Sequence, residues 1–95
     1  MILCRVIGTV VATRKDESMT GNKLMVTQPI DLDKKPIGEA HIAVDTVGAG
    51  IGELVITTHG TASRNAANKK DSAIDSAIVG IVDNIDVYRD LLDNK

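Results

Sequence analysis

Five segments of the chain read as β-strands, some because apolar and polar side chains alternate with a two-residue period and others because they are apolar on both faces. The predicted strands span, in chain order, Ile2–Thr13, Lys23–Gln28, Glu39–Val47, Glu53–His59 and Ile78–Val87. In the first strand, Cys4 and Val6 share one face, while Leu3, Ile7 and Val11 make the other face partly apolar as well. A strand that is apolar on both faces is normally covered on both faces.

Glycines interrupt the first and fifth predicted strands, at Gly8 and Gly80. A glycine inside a strand indicates a bend or a β-bulge, as found in small, tightly closed barrels. Five short strands with glycine-marked bends predict a mainly β fold, a small and partly open five-stranded barrel of the OB-like type.

Two segments near the C-terminus have helical patterns. Asp71–Ala77 is predicted to form one or two turns, with Asp71 as the N-cap. Asp86–Lys95 is predicted to form a short helix whose apolar side includes Val87 and Leu91. Because about ten residues do not hold a helix alone in water, this segment needs a docking surface on its own subunit or on a neighbour.

The composition fits one β domain covering residues 1–95. Val, Ile and Thr together supply 29 of the 95 residues, and these are strand-forming residues. A chain of this length buries only about two-thirds of the surface that it exposes when unfolded. A monomer is therefore expected to be only modestly stable, which favours association of subunits.

Charge and aromatic content exclude several classes of function. The formal net charge is −2 and Tyr88 is the only aromatic residue, so neither the basic surface nor the stacking platform of a nucleic-acid-binding protein is expected. An OB-like nucleic-acid-binding domain nevertheless stays open as the alternative function. No apolar run approaches the length of a membrane span and no signal peptide is evident, which predicts a cytoplasmic protein without a membrane partner.

Candidate catalytic and metal-binding residues are few. One Cys and two His leave no cluster for a metal, and we expect no metal and no cofactor. His41 and Asp45 share a predicted strand face, and an enzyme would also need a nucleophile such as Ser63 or Cys4. No nucleophile motif surrounds either residue, so His41 and His59 are interpreted as surface or interface histidines, and Cys4 as a small buried hydrophobic residue.

The glycine-rich stretch Gly48–Glu53 resembles a nucleotide-binding loop only superficially. Such loops lead into a helix whose N-terminus holds the phosphate, whereas Leu54–Thr57 is strand-like. A tight turn is the simpler interpretation, because only glycine readily adopts positive φ or allows a close backbone approach.

Several stretches together resemble one known family. They are Val6–Thr13, Gly21–Val26, Ala43–Glu53, Gly60–Arg64 and Ala77–Asp83. Their order and spacing are similar to those of the EutN/CcmL family of bacterial microcompartment vertex proteins, from about Ile2 to Val87. The specific part is the Val-Asp-x-Val-Gly-Ala-Gly-x-Gly-Glu run that ends at Glu53.

The resemblance implies a structural shell protein and not an enzyme. Members of this family form homopentamers of small β-barrels that cap the fivefold vertices of microcompartment shells in the bacterial cytoplasm. The implied partners are other copies of the chain and the hexameric shell proteins of the facets, with no nucleic acid and no membrane. The resemblance implies no cofactor.

The resemblance also suggests three groups of contact residues. The subunit-interface turn would comprise Gly48, Ala49, Gly50, Gly52 and Glu53, with Glu53 accepting backbone hydrogen bonds or pairing with a basic residue; a turn inside one subunit is the equal alternative. The loop near the fivefold axis would comprise Gly60, Thr61, Ala62, Ser63 and Arg64, in which the order of small residues departs from the family's Gly-Ser-Ser-Ala-Arg-like pattern. Shell-edge contacts would use Arg14, Lys15 and Lys23.

Two expectations follow for assembly. If the turn lies in the interface, Gly50→Val should weaken ring formation more than folding of the barrel. The terminal segment Asp86–Lys95 varies in the family, and a contact with a neighbouring subunit is one role for it.

Overall fold

The computed structural model describes residues 1–12, 21, 23–60, 66 and 75–93. The strands are β1 (Ile2–Val10), β2 (Lys23–Pro29), β3 (His41–Asp45), β4 (Leu54–His59) and β5 (Ser76–Val82), and a short helix, α1 (Arg89–Asp93), follows them. No helix among these residues has the length and apolar character needed to span a membrane.

The five strands form a closed barrel in the order β1-β2-β3-β5-β4. All neighbouring strands are antiparallel except β3 and β5, which are parallel. The predicted five-stranded barrel is confirmed, but it is closed and not partly open, because Ile2–Arg5 of β1 pairs with Leu54–Thr57 of β4. In the described barrel every strand therefore pairs with a neighbour on each side.

Both strand glycines lie beside a change of register, as predicted. The β1–β2 pairing shifts between Val6 and Gly8, and the β4–β5 pairing shifts where Ile56 faces Gly80 and Thr57 faces Ile78. A bulge adds local twist and bends the strand. These bends help five short strands to curve into a barrel.

Side chains pack on both faces of the barrel wall. The interior cluster consists of Cys4, Val6, Met25, Ala43, Ala49, Val55 and Ile78. A second cluster of Leu24, Val44 and Ala77 lies on the opposite face of the sheet. Leu24 and Met25 are sequence neighbours and both are buried, so this part of β2 is covered on both faces.

The outer face of β1 is not covered within one chain. Ile7 on this face is 50% exposed. Past the bulge and beyond the end of the strand, Val11 is 94% exposed. The expectation that β1 is covered on both faces is therefore wrong for a single subunit. These side chains are available for contact with another chain.

The chain between β4 and β5 differs from the prediction. A helix over Asp71–Ala77 is wrong at its end, because Ser76 and Ala77 pair with His59 and Thr58 and belong to β5; residues 71–74 lie outside the described part of the chain. β5 also ends at Val82 and not at Val87. Val82 pairs with Leu54, the first residue of β4, so the following residues have no partner on that strand.

The C-terminal helix is shorter than predicted. It spans Arg89–Asp93 and not the whole of Asp86–Lys95, and residues 83–88 are irregular. An ion pair between Arg89 and Asp33 connects it to the turn that follows β2.

Candidate functional site

The glycine-rich turn begins with a carboxylate that organises the backbone. Asp45 lies at the end of β3, and its Oδ1 accepts hydrogen bonds from the amides of Val47 and Gly48, both at 3.0 Å. Gly48 and Gly52 have φ values of 77° and 89°. These values confirm the predicted tight turn, because other L-residues rarely adopt this conformation.

The turn is attached to the barrel by both core packing and hydrogen bonds. Ala49 belongs to the interior cluster, and the Thr46 hydroxyl donates to the carbonyl of Ile78 at 2.6 Å. The Gly52 amide donates to the Val6 carbonyl at 2.8 Å, and the Val6 amide donates to the Glu53 carbonyl at 2.9 Å. The turn is thus part of the fold of one subunit.

Glu53 fixes the shape of the turn from within the same chain. Its Oε1 accepts a hydrogen bond from the Gly50 amide of the same chain at 2.5 Å. A Cβ atom on Gly50 would lie 3.1 Å from Oε1. Gly50 therefore allows a close approach, and the group that approaches is the carboxylate of its own subunit.

The outer surface of the turn is apolar. Ile51 is 61% exposed at its tip, and Val47 is also exposed. The guanidinium of Arg5 donates to the Gly52 carbonyl at 2.8 Å and lies beside this surface. Ile51 was not among the side chains expected to make contacts, although its position between two glycines of a tight turn is the signal: such a turn is too narrow to bury a large side chain.

The two histidines lie together but form no catalytic pair with Asp45. Their rings contact edge to face with centroids 6.1 Å apart, and both side chains are exposed. His59 Nε2 is 3.4 Å from the Thr57 hydroxyl. Asp45 instead directs its Oδ1 to the backbone of the turn. Within the described residues, no group of three or more His, Cys, Asp or Glu side chains could hold a metal ion.

Cys4 is buried in the barrel interior, as predicted. Burial raises the pKa of its thiol, and hydrogen bonds with Thr57 and Thr27 partly oppose this effect. A thiol with a raised pKa is mostly protonated at neutral pH and is a poor nucleophile.

The expected axis loop and shell edge are described only in part. Gly60 has φ of 65°, and its amide donates to the Asp75 carbonyl at 2.9 Å. Thr61–Arg64 lies outside the described residues, as do Arg14 and Lys15. Lys23 is exposed at the start of β2.

An apolar groove lies at the end of the β1–β2 pair. Its volume is about 380 Å³. The lining residues are Thr9, Val10, Val11, Ala12, Lys23, Leu24 and Met25. This groove has no signal in the sequence pattern, because it forms only when the ends of two strands pair.

The chain is similar in sequence to proteins of one family. Residues 1–83 match the EutN_CcmL family, described as "Ethanolamine utilisation protein EutN/carboxysome". Over 86 residues the chain is 48% identical to the bacterial microcompartment shell vertex protein GrpN of Rhodospirillum rubrum (strain F11), which covers 90% of this chain and 97% of that protein. Over 95 residues it is 39% identical to the carboxysome shell vertex protein CcmL of Synechocystis sp. PCC 6803, which covers 100% and 95%.

The fold is similar to that of solved structures as well. The GrpN pentameric microcompartment shell protein from Rhodospirillum rubrum superimposes with a TM-score of 0.84 at 45% identity, over 93% of this chain and 100% of that one. The family match over residues 1–83 includes the whole barrel and the glycine-rich turn.

Proposed function

The chain belongs to the EutN/CcmL family, and from this membership we propose that it closes the fivefold vertices of a bacterial microcompartment shell as a homopentamer. It is a structural shell vertex protein and not an enzyme. The observation that carries the proposal is its 48% identity to a shell vertex protein across 97% of that protein's length.

The surface of the single chain supports assembly into a ring. A fivefold ring needs two different, complementary patches on every subunit, because its interface is heterologous. Large apolar side chains remain exposed on several elements of the barrel, among them Ile7, Ile42, Ile51 and Leu91. A nucleic-acid-binding function has no comparable support, since the net charge is −2 and Tyr88 is the only aromatic residue.

The glycine-rich turn is proposed to contact a neighbour through its outer surface. Its inner surface is occupied by Glu53 and Ala49 of the same chain, so the glycines shape the turn while Ile51 supplies contact area. Gly48 and Gly52 have open space where a side chain would extend, which lets another backbone approach closely.

The loop from Gly60 to Arg64 is proposed to lie near the fivefold axis. Its side chains are small before Arg64, which suits a narrow channel. Arg14 and Lys15 are proposed to contact hexameric shell proteins at the outer edge, in the bacterial cytoplasm where the shell would assemble. Lys23 was expected at the same edge, but it lines the apolar groove, and we favour a contact with the neighbouring subunit.

Mass measurement and electron microscopy test this function. Native mass spectrometry of the purified chain should give five times the subunit mass, and a stable monomer or a hexamer would contradict the vertex role. Shells produced without the chain should remain open at their corners, and adding the chain back should close them. Closed corners without the chain would show that it is not needed there.

A further inference from the structure

The segment after β5 ends in an apolar surface that its own barrel does not cover. Tyr88 and Leu91 are more than three-quarters exposed, and Leu92 is about half exposed. They lie on or beside α1, a helix of only five residues. A helix this short does not persist in water without packing, and the exposed Arg89–Asp33 ion pair contributes little.

The groove defined by Val10, Val11 and Leu24 complements this segment in both shape and charge. It is apolar, and its volume of about 380 Å³ falls within the range of clefts that accept small apolar groups. Among the described residues that line it, Lys23 is the charged one. The described part of the terminal segment, residues 83–93, carries several Asp residues, and its Arg89 is already paired with Asp33.

The segment and the groove lie at opposite ends of the β1–β2 pair. The groove is next to the pairing of Val10 with Leu24, whereas Asp33, which holds the helix, follows the end where Cys4 pairs with Pro29. Six residues of strand separate the two ends, which is about 20 Å. Leu92 is three residues beyond Arg89 in a helix, a rise of about 5 Å, so it cannot reach the groove of its own chain.

We propose that Tyr88, Leu91 and Leu92 of one protomer pack into a groove of the next protomer. This is the groove lined by Val10, Val11 and Leu24. Asp86 and Asp90 then face the neighbour's Lys23. This inference rests on the proposed pentamer, because a closed ring lets a patch at one end of each subunit meet a different patch on the next. It assigns the terminal segment to the ring contact, together with Lys23.

Paired cysteines test the contact directly. The variant with Val11→Cys and Leu92→Cys is oxidised and run on a denaturing gel without reductant. Each chain should then link to the next and give a ladder that ends at five subunits, because a disulfide forms only where the two Cα atoms are within about 7 Å. Each single variant should stay free of the ladder.

The matched control pairs Leu92→Cys with Ile42→Cys, since Ile42 is an exposed apolar residue of β3 outside the groove. A ladder from this control but not from the Val11 pair would overturn the proposal, and so would a disulfide inside one chain. If the wild-type chain has pentameric mass but the Val11 pair gives no ladder, only the docking proposal fails. If the wild-type chain is monomeric, the proposed function itself fails.

A charge exchange gives a second test that does not depend on cysteines. Lys23→Glu should lower the pentamer fraction in native mass spectra at low salt, and adding Asp90→Lys should restore it. Both residues are exposed, so the barrel should fold in every variant. Equal pentamer fractions in the wild type and in Lys23→Glu, or no rescue by Asp90→Lys, would contradict a contact between the two residues.

Discussion

In the turn after β3, single carboxylate side chains accept hydrogen bonds from backbone amides that the barrel strands do not pair. Asp45 accepts from two amides at the start of the turn, and Glu53 accepts from the Gly50 amide near its end. Backbone amides that lose such acceptors in a partly buried position cost stability. The two carboxylates therefore hold the turn that places Ala49 in the core.

Glu53→Ala should destabilise the barrel by about 1–3 kcal/mol, because the partly buried Gly50 amide loses its acceptor. Urea unfolding followed by far-ultraviolet circular dichroism measures the change in the free energy of unfolding. Glu39→Ala is the control, since Glu39 is exposed before β3. Equal losses in the two variants would show that the Glu53 hydrogen bond contributes nothing specific.

Gly52→Ala should cost about 1–2 kcal/mol, because its φ of 89° is unfavourable for alanine even though the space around it is open. Gly80→Ala provides the comparison: that position also has open space but lacks positive φ. Because neither added side chain is crowded, the difference between the two midpoints of thermal unfolding reports the cost of the backbone conformation at Gly52. A loss at Gly80 as large as that at Gly52 would contradict the assignment to backbone strain.

Cys4 should be protected from thiol reagents in the folded protein. Because the folded state raises the pKa of its thiol, it binds the proton more tightly than the unfolded chain does. This contribution to stability is complete below the pKa of the unfolded thiol and is lost as pH rises from there through the folded pKa. Urea unfolding between pH 7 and about pH 10 should show this loss in the wild type but not in Cys4→Ala, and identical pH profiles would contradict it.

At the scale of elements, the two surfaces of the same turn differ in what they contact. The inner surface contacts Glu53 and the barrel, whereas the outer surface presents Ile51. A side chain added at Gly50 would lie against the Glu53 carboxylate of its own subunit. The structure therefore moves the main effect of Gly50→Val from ring formation, where sequence analysis expected it, to folding of the barrel.

Ile51→Asp should reduce the pentamer fraction while leaving the unfolding of the isolated barrel nearly unchanged, because Ile51 is mostly exposed. Gly50→Val, in contrast to Ile51→Asp, should lower the barrel's free energy of unfolding by about 1–3 kcal/mol. Native mass spectrometry and urea unfolding are measured on both variants. Ile37→Asp is the control for adding a charge at a half-exposed apolar site outside the turn, and an equal loss of pentamer there would contradict a specific role for Ile51.

At the scale of the whole molecule, we expect folding and assembly to be coupled. A chain of 95 residues has a small core, and several large apolar side chains remain exposed when it is alone. Association covers such side chains and stabilises only the folded state. We therefore expect neighbouring subunits to cover these side chains.

The apparent stability should consequently depend on protein concentration. The midpoint of thermal unfolding should rise as the chain concentration is raised, because ring formation pulls the equilibrium toward folded subunits. Calorimetry over a hundredfold range of concentration measures the shift. A midpoint that does not move would mean that the barrel gains no stability from assembly, and the double variant Ile51→Asp with Leu91→Asp should show a smaller shift than the wild type.

The sequence by itself indicated which segments contain strands, where the strands bend and which family the chain resembles. Alternation along β2, the glycines beside both bulges and the inward position of Cys4 are local properties, so residues close in the chain are enough to predict them. The glycine-rich turn was also evident, because only glycine readily adopts the φ values found at Gly48 and Gly52.

Tertiary structure decided everything that depends on a partner distant in sequence. Pairing of β1 with β4 closes the barrel, and pairing of Ser76 and Ala77 with β4 overrides their helical pattern. The exposure of Ile7, the contact of Glu53 with its own subunit and the groove beside Lys23 arise in the same way. The physical reason is that periodicity records which face a side chain takes, whereas closure and contact depend on which strands meet in space.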